Sequence, residues 1–136
     1  MSPRTVGRTE PMGRAEWEKR AHDARGFQTL AALGWDDPAV AQQAAANAVN
    51  AAIAAVDAIC GKELRERYRG QDHRGASALL RQVAGSDPAA KAFDTLISQK
   101  DAAAYSTAVM GPTTLLAMRR ALGSLMALLD EVLARP

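Results

Sequence analysis

The densest polar chemistry in the chain lies in residues 63–75, ELRERYRGQDHRG, just after a long alanine-rich run. Lys62, Arg65, Arg67, Arg69 and Arg74 stand there against only Glu63, Glu66 and Asp72. Phosphate contacts need cations but no strict geometry, and such a cluster supplies them. Tyr68, set among the arginines, is suited to stacking on a base. His73 lies between Asp72 and Arg74. A histidine tuned by charged neighbours can move a proton near neutral pH. His73 is therefore the candidate for acid or base work. Arg65, Tyr68, Arg69, Arg74 and Asp57 are the candidate ligand-binding residues. The competing reading of the cluster is a solvated helix end, since cations favour helix C-termini on dipole grounds.

Asp57 joins the set for a different reason. It interrupts an apolar stretch, where an unpaired carboxylate is costly. Asn47, Asn50 and Asp57 fall on one stripe of a helix. The expected partner of Asp57 is His73, Arg74 or another arginine of the basic loop, a contact that would pin the loop to the rest of the molecule.

Other chemistry-bearing residues point elsewhere. His22 reads as a surface histidine beside Asp23. Two histidines and one cysteine, dispersed in sequence, make no metal site. There is neither a phosphate-binding glycine loop nor a GxSxG elbow, and Ser77 and Ser106 lack triad context. No cofactor is implied. Cys60 has apolar neighbours and reads as a small buried hydrophobe. Lys100, Asp101 and Tyr105 form a third cluster, with Lys100 expected to pair with Asp94 or Asp101 and Tyr105 to cap its helix end.

Helices must position these groups. Trp17, Ala21, Ala24, Phe27, Leu30 and Ala31 recur at spacings of three and four, which predicts a helix over residues 14–33. Asp37-Pro38 is an N-cap followed by a first-turn proline, so the next helix is expected from 38 to 62. It is apolar over most of its girth, as a central helix would be. A short helix is expected over 75–84, capped by Asp72, and another over 87–103 from a second Asp-Pro start. The last, opening at Pro112, carries Leu115, Met118, Leu122, Leu125, Met126, Leu129, Val132 and Leu133 on one stripe. No segment alternates with period two, so no strands are expected. Residues 1–13 show no periodicity and read as a flexible tail. The expectation is an all-α, up-and-down bundle of about five helices in one domain over 14–136.

The chain has 136 residues, 48% hydrophobic and only 4% aromatic. Alanine supplies much of that apolar content, so less area is buried per side chain than in a leucine core. Modest monomer stability and a partner surface follow. Thirteen of 17 basic residues are arginine against 15 acidic residues, which favours bidentate or stacked contacts over diffuse charge. The longest apolar run, 51–56, is too short to span a bilayer. With a lone cysteine and no apolar leader, a reducing, cytoplasmic location without membrane contact is the expectation.

The order of these segments resembles the HEPN superfamily of small helical bundles. An alanine-rich helix ending AAIAAVDAICGKEL is followed by DHRGASALLRQV, then LISQKDAAAY, then a long amphipathic helix. His73-Arg74-Gly75 is similar to the family's His-Lys/Arg-Gly segment, and Asp101 to Tyr105 to its acidic segment ending in tyrosine. The likeness spans roughly residues 14–133. It implies a HEPN-like fold, a homodimer, and an RNA- or nucleotide-associated role in a toxin–antitoxin or defence setting, with an antitoxin or nucleotidyltransferase as partner. Many members are metal-independent ribonucleases that use an arginine and, four to six residues later, a histidine placed late in the domain. Here no histidine follows His73, and the matching spacing is Arg67 to His73. The expectation is a non-catalytic accessory subunit. A ribonuclease using Arg67 and His73 and a protein-interaction scaffold are the alternatives.

Overall fold

The structure, a computed structural model, describes residues 8–70 and 72–136. Its elements in order are β1 (Thr9–Pro11), α1 (Arg14–Ala32), α2 (Ala41–Leu64), β2 (Glu66–Tyr68), α3 (His73–Leu80), α4 (Asp87–Ser98), α5 (Lys100–Tyr105) and α6 (Pro112–Leu133). The chain forms the expected all-α bundle. The helix anticipated over 87–103 is broken at Gln99 into α4 and α5.

Residue pairings set the helix directions. Arg20 meets Asp57, and Gly61 lies against Met12 and Trp17, so α1 and α2 run antiparallel. The start of α6 flanks Ala41 and Gln42, while Arg135 just past its end bonds Lys62 and Glu63, so α6 runs alongside α2 in the same direction. Arg25–Asp130 (2.6 Å) and Arg119–Asp36 (3.1 Å) tie the α1 side to α6. The bundle is thus built around α2, with α1 antiparallel and α6 parallel to it.

The alanines of α2 explain that centrality. Ala45, Ala48, Ala51, Ala52, Ala54, Ala55 and Ala58 are all fully buried, on several sides of the helix. Side chains this small let neighbouring backbones approach closely. Gly61 marks a close approach: a Cβ there would lie 2.4 Å from Met12 Sδ and 2.7 Å from Trp17 Cβ. The larger side chains of the core come from Leu79, Leu80, Phe93, Leu96, Met118, Leu125 and Leu129. The most apolar 18 residues of α2 have a mean hydropathy of 1.4, enough for a membrane span by composition, but 78% of that stretch is buried in the bundle, as in a core helix.

Several local expectations need correction. The strand-free expectation fails at one place, where β1 and β2 pair antiparallel with Thr9 opposite Tyr68, Glu10 opposite Arg67 and Pro11 opposite Glu66. The flexible tail expected over 1–13 is therefore ordered from Thr9, and Met12 is buried; residues 1–7 lie outside the described residues. Asp37 does not cap α2. Its Oδ1 accepts from the Ala39 N–H in a turn, and the helix begins at Ala41. Helix α3 starts at His73 and stops at Leu80, four residues short of the expected end, where the chain turns toward Gly85 at φ +75°. Leu30, placed on the apolar face of α1, is exposed.

Candidate functional site

The end of α2 and the two strands build the site. Arg65 closes α2 in the left-handed conformation, φ 59°, with its N–H donating to the Gly61 carbonyl. That conformation carries a cost for a residue with a Cβ. Here it coincides with pairing to β1, because the Arg65 carbonyl accepts from the Met12 N–H at 2.9 Å. The chain leaves the helix sharply and runs back as β2. Four residues after β2, Asp72 caps α3 by accepting from the Arg74 N–H at 3.0 Å. The cap sets His73 as the first residue of α3.

These turns enclose a cavity of about 380 Å³. Its polar wall is Glu10, Arg20, Asp57, Arg67, Tyr68, Arg69 and His73, and Ile53, Ala76 and Phe93 supply an apolar side. Asp57 is 8% exposed. Its Oδ2 accepts from Arg20 Nε at 3.0 Å and lies 3.6 Å from an Arg67 terminal nitrogen. Arg20 also donates to Asp23 (3.1 Å), and Arg67 Nε donates to Glu10 at 2.5 Å. Charges alternate along Lys19, Asp23, Arg20, Asp57, Arg67 and Glu10, so the inner part of the site is neutralised from within.

Asp57 and His73 are both shifted by this setting. Burial raises the Asp57 carboxyl above the usual aspartate range, outweighing the opposing pull of Arg20 and then Arg67. Burial, followed by the nearby Lys100 ammonium, lowers His73, while Asp72 pulls the other way. Lys100 Nζ sits 3.3 Å from His73 Nε2. An ammonium only donates, so this contact requires a neutral imidazole with Nε2 as acceptor and the proton on Nδ1.

Of the residues singled out from sequence, Asp57, Arg67, Tyr68, Arg69 and His73 come together at this cavity. Arg65 and Arg74 do not. Arg65 faces a separate cleft with Arg14, Trp17, Lys62 and Arg135, and Arg74 is exposed on α3. The expected partner of Asp57 is His73, Arg74 or another arginine of the basic loop; it meets neither His73 nor Arg74 but Arg67, and its closer partner is Arg20 of α1. Lys100 meets His73, whereas Asp94 bonds Arg81 at 2.8 Å. Tyr105 is 80% exposed. Cys60 is buried, and burial first, then Asp57 and Glu66, raises its thiol pKa, so it is a poor nucleophile.

Sequence reasoning missed two members of the site. Arg20 carried a readable signal: it falls between Trp17 and Ala24, on the inward stripe of α1, where a cation needs a buried anion. Glu10 carried none, because its role depends wholly on the pairing of β1 with β2. Among the described residues, no three histidine, cysteine or acidic side chains converge as metal ligands. No protein-family model, curated protein or solved structure compared with the chain matches it.

Proposed function

We propose that this chain is a HEPN-like helical-bundle protein acting as a non-catalytic, dimeric accessory subunit associated with RNA or a nucleotide. A toxin–antitoxin or defence setting in the cytoplasm, with an antitoxin or nucleotidyltransferase as partner, goes with that reading. The observation that carries it is the gathering of Arg67, Tyr68, Arg69 and His73 around one cavity of ligand size. Aromatic and cationic side chains lining a groove are what a base and its phosphate require. The non-catalytic part rests on Arg67, whose guanidinium is held by Glu10 and Asp57 and so is not poised for a phosphorane.

One observation favours a second reading, a metal-independent ribonuclease. Arg67 and His73 line the same cavity, and a neutral His73 is the form a general base needs. Incubation with RNA in EDTA, beside a His73→Ala variant, separates the two. The accessory reading expects salt-dependent RNA binding without cleavage. Cleavage that disappears in His73→Ala would replace it with the ribonuclease. Absence of binding at low salt would leave a protein-interaction scaffold.

The dimer part is supported by an apolar surface away from this cavity. Two adjoining clefts share Trp35, Pro112 and Leu115, and Val109 (92% exposed) and Leu116 border them. Light scattering of the wild type against Leu116→Asp tests it, with a dimer mass in the first and a monomer mass in the second expected.

A further inference from the structure

Asp57 uses its two oxygens differently. Oδ2 takes Arg20 and Arg67 together. Among the described residues, no donor reaches Oδ1. The Asp57 side chain retains 11% exposure, and Ser86 Oγ is the buried side-chain oxygen without a partner among the described residues. Oδ1 therefore keeps the solvent contact, and the space it meets is the cavity that Asp57 lines. The inner end of the cavity thus presents an acceptor beside the apolar Ile53, Ala76 and Phe93. The outer end is cationic: Arg69 is exposed, and Lys100 stands beside His73.

Resting on the nucleotide reading of this cavity, we infer that Asp57 selects the base. The site takes a nucleotide whose base carries an exocyclic amino group, cytosine over uracil, with its phosphate at Arg69 and His73. A carboxylate oxygen accepts and cannot donate, so it is satisfied by an amino group, as when an acidic side chain accepts from cytosine N4. Uracil offers a carbonyl at the corresponding position. Its one edge donor is flanked by two carbonyl oxygens, so presenting that donor to Oδ1 draws both acceptors toward the carboxylate. Tyr68 lines the same cavity. Its own ring is placed by Gly70, where a Cβ would come 2.1 Å from the Tyr68 hydroxyl.

The ligand chemistry is the same for a free nucleotide and for a nucleotide within an RNA strand. Binding of the full chain is measured by calorimetry with CMP and UMP in one arm, and with short oligocytidylate and oligouridylate in the other. The expected result is a preference for cytosine of about tenfold. Preference seen with CMP itself assigns the free nucleotide; preference confined to the oligonucleotides assigns the strand. In Asp57→Asn the amide oxygen stays with Arg20 and Arg67, and the amide nitrogen turns a donor to the cavity. The preference is then expected to reverse toward uracil. Arg69→Ala is expected to weaken both bases alike and leave their ratio unchanged.

Equal binding of cytosine and uracil by the wild type overturns the inference while leaving the nucleotide reading in place. An unchanged cytosine preference in Asp57→Asn, or a ratio altered by Arg69→Ala, overturns the assignment of groups. Failure of every nucleotide and oligonucleotide to bind overturns both the inference and the reading beneath it. The wild-type ratio decides the matter alone if the Asp57→Asn variant does not fold.

Discussion

Asp57 Oδ2 accepts a hydrogen bond from Arg20 Nε at 3.0 Å, joining α1 to α2 across 37 residues of chain. The same oxygen attracts Arg67 from β2. One buried carboxylate thus orients cations from two other elements, and the cavity wall depends on it. The alternation of charge extends to Asp23 on one side and Glu10 on the other.

Removing that carboxylate takes away the anion between two arginines and leaves Arg20 with Asp23 and Arg67 with Glu10. Because both guanidinium groups keep access to water, the cost is expected below that of a fully buried broken pair. Asp57→Ala should lower the unfolding free energy by about 2 kcal/mol, measured by urea denaturation. Its pH dependence has a definite sign. The native carboxyl is raised above 3.8, so between that value and the raised one the native state binds more protons than the unfolded chain. The Asp57 contribution therefore falls as pH rises through the window. The wild type should gain on an Asp57→Asn variant as pH is lowered from neutral.

His73 works in the opposite direction. Its native value is lowered from 6.5 by burial and then by Lys100. Between the lowered value and 6.5 the unfolded chain holds more protons, so stability rises with pH there and is lost on acidification. Lys100→Met removes the adjacent ammonium and should move the His73 titration upward. An NMR titration of the imidazole, assigned by its loss in His73→Gln, reads the shift. An unchanged midpoint would mean that Lys100 does not influence the ring.

Gly61 is required by the approach of the segment before α1. A methyl group at this position meets Met12 Sδ at 2.4 Å and Trp17 Cβ at 2.7 Å. Methionine can move aside, but the Trp17 Cβ is fixed to its helix. Gly61→Ala should destabilise by about 1–3 kcal/mol through overpacking, even though alanine favours a helix interior. Thermal unfolding monitored by circular dichroism checks it, and unchanged stability would contradict the packing described.

Glu10 occupies the Arg67 guanidinium through its Oε1 at 2.5 Å. Glu10→Gln removes that charge and leaves Arg67 with Asp57 alone. If the chain binds RNA at this face, the released cation adds a phosphate contact. Affinity should increase, and the slope of log K against log salt should steepen by about 0.7 for a single strand. Fluorescence anisotropy across a salt series measures both quantities.

Local signals made most of the bundle readable. Asp72 was recognisable as a cap, Pro112 as a first-turn residue, and the leucine and methionine stripe of α6 as a buried face. Each rests on spacing within a few residues, and the structure keeps all three. Asp37-Pro38 used the same vocabulary and failed as a cap, because its turn closes on Ala39 before α2 begins. The basic loop was likewise visible as a collection of side chains, and five of the seven proposed site residues meet at one cavity.

What composition and spacing determined by themselves was the helical character of the chain, the central position of the alanine-rich helix and the need of Asp57 for a partner. Tertiary structure alone decided who that partner is. Arg20 reaches Asp57 only because α1 lies antiparallel against α2, and Glu10 reaches Arg67 only because three residues of each strand pair across the intervening helices. Such contacts join positions far apart in sequence, and no local pattern encodes their register. The same long-range pairing separates Arg65 from Arg67, two residues apart in sequence, sending one to each of two different clefts.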